Sequence, residues 1–279
     1  MEKRNVGILY IVATPIGNLE DITLRAIRIL KEVDLIAAED TRNTLKLLNH
    51  FEISKPLISY HRHNEEIKSD NLINKLKNGE NIAIVSDAGT PGISDPGEVI
   101  VRQAIENGIE IIPIPGACAA INALIASGLD TNEFSFIGFL PLNKKLRKDK
   151  LNKIKNETKT LIIYEAPHKL KNTLDDLKDI VENRKIVLAR ELTKMHEQFI
   201  RGDINKIIQV SDTLKGEMII IIEGAKNVEE ENSLNNLSLE EHYKYYENLG
   251  LLKKDIIKKI SKDRGVNKND IYMNFVNQK

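Results

Sequence analysis

The sequence predicts an α/β protein: a mostly parallel sheet with helices on both faces, then a second and more mixed α/β unit, then a short helical appendage. Three observations predict it. Short apolar runs alternate with segments of helical periodicity from Gly7 to Ile114, the pattern of strand–helix–strand crossovers that build a parallel sheet. Glycine- and proline-rich turns follow several of those runs, on the sheet edge where open α/β folds bind ligands. Past Ala225 the chain turns polar and acidic and then resumes as three short amphipathic segments.

In order, Gly7–Ala13 reads as the first strand. Asp21 is expected to cap a helix running to Val33, and Asp34–Ala38 is a second strand. Thr41–Phe51 is a helix with Leu45, Leu48 and Phe51 on one stripe, and Pro56–Tyr60 is a third strand. A helix from Glu65 to Asn78 stops at Gly79; Asn81–Val85 and Glu110–Ile114 complete the sheet around a helix over Glu98–Asn107. Ala117–Ser127 is a small-residue helix ending at Gly128. In the second unit, Phe134–Phe139, Thr160–Tyr164, Lys185–Arg190, Gln198–Arg201 and Glu217–Ile222 read as strands, and Lys169–Val181 as a helix. Few crossovers separate them, so a mixed sheet is expected. Lys226–Asn236, with Glu229, Glu230 and Glu231, reads as a linker. Beyond it, Ser238 with Glu241 forms a capping box, a second helix covers 252–264, and Asn267 caps a third after Gly265, a helix-turn-helix-like arrangement. The expected domains are 1–116, 117–225, the linker 226–236 and the appendage 237–279.

The bulk numbers bound the function. Two domains suit 279 residues, and 41% hydrophobic content suffices for real cores. Basic and acidic residues number 41 each, so only local charge can indicate a partner. The single cysteine, Cys118, excludes an internal disulfide and multi-cysteine metal sites. Lys3 and Arg4 precede the apolar Val6–Ala13, but Thr14-Pro15-Ile16-Gly17 follows without a small-residue cleavage pattern, so a core strand is expected there. No apolar run approaches the ~20 residues of a membrane span, and a soluble, cytoplasmic protein is expected.

If the strands are parallel, four loops converge: Thr14–Asn18, Glu39–Arg42, Tyr60–Glu65 and Asp87–Gly97. The last lies within Ser86–Gly97, whose twelve residues hold three glycines and two prolines, so its backbone can approach a ligand closely. Neither a phosphate-binding GxxxxGK[ST] nor a GxGxxG occurs. His61 and His63 share one face of an extended segment, but no further ligand is spaced nearby and no metal is expected. Asp87 and Asp95 have a structural alternative as turn and helix caps, as has Glu39-Asp40-Thr41-Arg42 as a capped, ion-paired helix start. Cys118 reads as a small packed residue.

Six strings occur in order: Ala13-Thr14-Pro15-Ile16-Gly17-Asn18-Leu19, Ala38-Glu39-Asp40-Thr41-Arg42, Ser59–Glu65, Ser86–Gly97, Pro115-Gly116-Ala117-Cys118 and Tyr164-Glu165-Ala166-Pro167-His168. Through them the chain resembles the bacterial small-subunit ribosomal RNA 2′-O-methyltransferase I family, of the tetrapyrrole-methylase-like (class III) S-adenosylmethionine fold. The resemblance is dense over residues 6–225 and looser beyond. It implies two α/β domains with S-adenosylmethionine in the cleft between them, a homodimer, and methyl transfer to the ribose 2′-hydroxyl of a cytidine in the decoding region of 16S RNA, within the 30S subunit. It further implies a cofactor pocket lined by Pro15, Asp87, Gly89 and Ile93 from the first domain, Ala117 and Cys118 at the crossover, and Tyr164, Ala189 and Met218 from the second.

A weakly nucleophilic hydroxyl profits from a base, and Asp40, His61, His63 and Glu65 are the unranked candidates at the rim. Two basic stretches suit phosphate contacts. Lys144–Lys155 holds seven basic residues against one acidic, and 253–279 holds eight against three. Arg42, Lys144, Lys145, Arg147, Lys148, Lys258, Lys262 and Lys268 are the expected RNA contacts. The alternatives are a tetrapyrrole methylase on the same fold, which needs neither basic stretch nor tail, and a non-catalytic nucleic-acid-binding adaptor.

Overall fold

The structure is a computed structural model describing residues 6–181, 183–226, 234 and 237–276. Glu229, Glu230 and Glu231 of the expected linker, and Lys279 of the basic tail, lie outside the described residues. The described chain through Ala225 forms one compact unit, and the chain from Lys226 onward a second.

The first sheet comprises β1 (Leu9–Val12), β2 (Leu35–Ala38), β3 (Leu57–Ser59), β4 (Ile82–Val85) and β5 (Ile111–Ile114). Its order is β3-β2-β4-β1-β5, and every pairing is parallel. Because successive side chains point to opposite faces, β4 divides cleanly. Ala83 and Val85 pack with residues of α1 (Leu24–Glu32) and α2 (Thr41–His50), whereas Ile82 and Ile84 pack with α3 (Glu65–Lys77) and α4 (Glu98–Glu106). A strand covered on both faces needs an unbroken apolar run, which is what Ile82–Val85 is. The connection leaving β1 passes to β2 on the far side of β4, and the connection leaving β4 passes to β5 on the far side of β1. Departures in opposite directions open a crevice at the carboxyl ends of these neighbouring strands.

Two expectations for this sheet's helices are corrected. The cap of α1 is Thr23, whose side chain accepts from the Ala26 amide at 3.0 Å. Asp21 instead ends a tight turn over Leu19–Asp21, and the extended Ile22 that follows delays the helix. On α2 the buried positions are Thr44 and Leu48, while Leu45 is exposed.

The second sheet comprises β6 (Phe134–Phe139), β7 (Thr160–Glu165), β8 (Ile186–Arg190), β9 (Gln198–Gly202) and β10 (Met218–Ile222), in the order β6-β7-β10-β8-β9. Only β6 and β7 run parallel, so the sheet is mixed as expected. One face packs on α6 (Lys144–Lys155), α7 (Leu170–Val181) and α8 (Ile204–Ser211) through Leu151, Leu174 and Ile207. The other face is covered by α5 (Ala119–Ile125) and by Ile16, which reaches it from the loop after β1. Residues 204–211 form a helix that sequence periodicity does not single out. Its β-branched run is two turns long, too short for helix and strand periods to be told apart; Asp203, which accepts from the Lys206 amide at 3.0 Å, starts the helix.

The second unit contains α9 (Leu239–Asn248), α10 (Lys253–Arg264) and α11 (Lys268–Val276). The Ser238–Glu241 capping box is present, and Gly265 ends α10 in the left-handed conformation at φ 62°. Tyr246, Ile256, Ile257, Ile260 and Ile271 form the unit's own core. Beside it His242 is fully buried: Arg264 Nε donates to its Nδ1 at 3.1 Å, and its Nε2 lies 3.2 Å from Asp263. An accepting Nδ1 places the proton on Nε2, so the ring is neutral. Among the described residues no helix is long and apolar enough to cross a membrane.

Candidate active site

Hydrogen bonds join the four loops beyond the first sheet's carboxyl edge. Thr14 and Gly89 exchange two backbone bonds, at 2.8 and 3.1 Å, forming a one-residue antiparallel bridge between the turns after β1 and β4. Gly89 has φ +78°, and a Cβ there would lie 3.2 Å from Ile16 Cγ2. Glycine therefore meets both a left-handed backbone and a close approach at this position. The Asp87 carboxylate accepts from the Asp40 amide at 3.0 Å and from Asn43 Nδ2 at 3.2 Å, tying the loop after β2 to the loop after β4. The Arg62 guanidinium donates to the Ser94 carbonyl, which brings in the loop after β3.

The turns after β1 and β4 form one wall of a cleft of about 290 Å³, and the second sheet forms the other; the loops after β2 and β3 brace the β4 turn from outside the cleft. Gly89, Ile93, Cys118, Tyr164, Ala189 and Met218 all line it. Pro15 and Asp87 line an adjoining depression that shares Ile16, Ala88 and Glu217 with it. Ala117 lines a third depression, which meets the cleft at Leu192, and its carbonyl accepts from Thr90 Oγ1 at 3.2 Å. The nine residues are therefore spread over three contiguous depressions. Tyr164 is fixed by the Ala120 amide, which donates to its hydroxyl at 3.0 Å, and by edge contacts with Phe136 and Phe139. Burial pushes its phenol up to about 12, so it stays neutral.

Sequence reasoning missed part of the wall. Glu165 lies in the last of the six ordered strings and lines the cleft, but nothing in its sequence neighbourhood marks it as part of the wall. Its buried carboxylate accepts from Thr173 Oγ1 and from the Ala166 amide and so shapes the turn after β7. Leu192 and Ile219 carry no local signal at all. Leu192 sits between Glu191 and Thr193, at φ 51° and 65°. Glu191 is anchored there by the Glu217 amide at 3.1 Å and by Lys194. Left-handed non-glycine residues persist only where the surroundings fix them.

The four base candidates are placed differently from the pocket residues: none of Asp40, His61, His63 and Glu65 lines the cleft. Asp40 caps α2 and binds Arg42 at 2.6 Å, and that guanidinium holds its carboxyl down at about 2. This is the capped, ion-paired helix start weighed above. The His61 ring sits against Asn64 at 3.2 Å and edge-on to His63, with its Nδ1 buried and without a hydrogen-bond partner. Glu65 opens α3. No group of three or more potential metal ligands occurs among the described residues. Asp95, by contrast, lines the cleft, and α4 is capped by Gly97 with no side-chain bond. Burial first, then the Glu39 carboxylate, pushes the Asp95 carboxyl up to about 6, against the opposing pull of Arg62.

Of the expected RNA contacts, Lys144, Lys145 and Lys148 are exposed on α6, Arg42 beside Asp40, and Lys258, Lys262 and Lys268 on the second unit. Arg147 is engaged within the fold. It donates to Asp176 at 2.6 Å and to Thr173 at 2.8 Å, pinning α6 to α7.

Two sheets facing one cleft, with a glycine turn at the switch point, define the class. Residues 8–208 match the family model of Tetrapyrrole (Corrin/Porphyrin) Methylases. The structure overlays diphthine synthase with a TM-score of 0.60 (13% identity; 78% of this chain, 90% of that one) and the methyltransferase CobJ with 0.60 (17%; 80% and 97%). At those identities the likeness speaks for the fold. Within the class, the chain is 54% identical to Ribosomal RNA small subunit methyltransferase I of Halalkalibacterium halodurans over 97% of its own length and 95% of that protein's. It is 49% identical to the protein of the same name in Bacillus subtilis, over 97% and 94%. The chain belongs to the ribosomal RNA small subunit methyltransferase I family.

Proposed function

We propose that this protein is a cytoplasmic enzyme that transfers a methyl group from S-adenosylmethionine to the ribose 2′-hydroxyl of a cytidine in the decoding region of 16S rRNA, within the 30S subunit and as a homodimer. The observation that carries the reading is the convergence of Gly89, Ile93, Cys118, Tyr164, Ala189 and Met218 on one cleft, in a chain about half identical to proteins bearing that name.

The cleft fits the donor. Apolar Ile16, Ile93, Phe139 and Met218 offer a bed for a nucleoside, and the close approach of Gly89 leaves room where a side chain would press on Ile16. The carboxylate of Asp87 suits a cationic ligand. When bound, the donor supplies a methyl group on a positively charged sulfur. Pro15, Asp87, Gly89 and Ile93 would hold it from the first domain (1–116), Ala117 and Cys118 at the crossover, and Tyr164, Ala189 and Met218 from the second (117–225). Orientation is a large part of what the chain supplies, because an in-line displacement gains much of its rate from alignment. Lys144, Lys145, Lys148 and Arg42, with Lys258, Lys262 and Lys268 of the appendage 237–279, would meet phosphates. Such an appendage has no evident use on a tetrapyrrole.

The test is transfer of tritiated methyl from S-adenosylmethionine to 30S particles, to protein-free 16S RNA and to a porphyrinoid, followed by nucleoside analysis. Label recovered as 2′-O-methylcytidine from RNA is expected. Label only in the porphyrinoid, or none in any of the three, overturns the reading.

A further inference from the structure

We propose that Asp95 is the group that takes the proton from the hydroxyl receiving the methyl group, an inference that rests on the methyl-transfer reading above. The structural job open to this residue on sequence grounds was to cap α4, but Gly97 stands at that cap with φ +144° and no side chain bonds there. Asp95 instead lines the cleft on the same wall as Gly89 and Ile93, across from Tyr164 and Met218.

The segment that carries it is held in an uncommon conformation. Ser94 has φ +67°, the Arg62 guanidinium binds its carbonyl, and the Gly92 amide donates to the Pro96 carbonyl at 3.2 Å. A left-handed serine clamped from a neighbouring loop is strain of the kind that functional sites hold in place. It sets the carboxylate on the cleft wall, where a capping aspartate would turn toward helix amides.

The charged and titratable groups facing Asp95 are Glu39 and Asp87, which oppose its ionisation, and Arg62, which favours it; Tyr164 lies across the cleft. Together with burial they leave a carboxyl near 6, largely ionised at neutral pH yet far more basic than an ordinary aspartate. Asp40, held at about 2, accepts a proton poorly and lies off the cleft. In the step proposed, the hydroxyl O–H bond breaks and its proton passes to the Asp95 carboxylate. The new O–C bond forms as the C–S bond breaks, with that electron pair left on sulfur. The proton afterwards returns to solvent, so one proton is released per methyl transferred.

Asp95→Asn and Asp95→Glu test this. With 30S particles as substrate, D95N is expected to lower kcat by about 10²–10⁴-fold while binding S-adenosylhomocysteine within about twofold of the parent, and to abolish the acid limb of the kcat/KM profile near pH 6. D95E should retain an acid limb, displaced in midpoint, with part of the rate. In the ligand-free protein, a carboxyl resonance titrating near pH 6 by ¹³C NMR should be present in the parent and missing from D95N. A D95N enzyme with unchanged kcat or an intact acid limb overturns the proposal. So does a loss in donor affinity as large as the loss in rate, which would make Asp95 a binding group. If the parent itself methylates no RNA, the methyl-transfer reading has failed; if the parent is active and D95N is unaffected, only the role of Asp95 has.

Discussion

Replacing Gly89 by alanine probes the wall of the cleft most directly, because the neighbouring Gly92 supplies a matched control. Both residues are left-handed, at φ +78° and +83°, but a Cβ at Gly92 meets nothing within 4 Å, whereas at Gly89 it lies 3.2 Å from Ile16 Cγ2. An L residue in that region costs about 1–2 kcal/mol, so both variants should lose about that much stability. Gly89→Ala must in addition displace Ile16, which closes one face of the second sheet, or stretch the paired Thr14–Gly89 backbone bonds. A further ~1.4 kcal/mol lost at the ligand is a tenfold drop in affinity. Calorimetric titration with S-adenosylhomocysteine should therefore show G89A about tenfold weaker and G92A within about twofold of the parent. Circular dichroism melts should show G92A destabilised by about 1–2 kcal/mol and G89A by that much plus the cost of moving Ile16. If G92A binds as poorly as G89A, strain alone is responsible and the cleft wall has been misread; if G89A binds normally, Gly89 does not face the donor.

Further outcomes follow from the same structure. Tyr164→Phe removes the acceptor of the Ala120 amide and should cost about 1–3 kcal/mol in a thermal or denaturant melt, the usual penalty for stranding a buried donor. Arg147→Ala should lower stability by up to about 1 kcal/mol through the lost Asp176 and Thr173 bonds. It should leave the salt dependence of RNA binding unchanged, whereas the Lys144, Lys145 and Lys148 triple alanine variant should flatten that dependence in a filter-binding series. Deleting 237–279 should weaken RNA binding and spare donor binding, and equal RNA affinity would refute the assignment of that unit. Two pH effects have opposite signs. His242 is pushed below its ordinary value, first by burial, so the native ring binds fewer protons and melts of the second unit should show stability present above about pH 6.5 and falling below it. Asp95 is raised from 3.8 to about 6, so the native state there binds more protons; the stability of D95N relative to the parent should grow as pH rises from about 4 through about 6 and then level off.

Much of the fold was legible because it rests on local periodicity. Ile82–Val85 is apolar throughout because the strand is buried on both faces, and the turns after β1 and β4 are rich in glycine and proline because the backbone reverses and crowds there. The ordered strings around Thr14, Asp40, His61, Asp87 and Tyr164 carried the resemblance to a family, and the glycine- and proline-rich turns among them marked a ligand edge. Side-chain destinations were not legible. Asp40 and Asp95 both follow an apolar strand and both precede a helix, so neighbouring residues give them the same credentials. Whether α2 captures the first as its cap, and whether Gly97 leaves the second turned toward the cleft, depends on backbone angles set by residues distant in sequence, through bonds such as that from the Asp40 amide to Asp87, 47 positions on, and from Arg62 to the Ser94 carbonyl, 32 positions on. Arg147 read as a free cation because Asp176 stands 29 residues along the chain. Leu192 and Ile219 joined the wall only when the second sheet's strands, adjacent in space but not in sequence, came together. Composition and period thus determined which segments are strands, helices and turns, since those follow from short-range sterics and solvation. The tertiary structure alone decided which carboxylate faces the cleft and which cations stay exposed, since hydrogen bonds and burial between distant segments fix those.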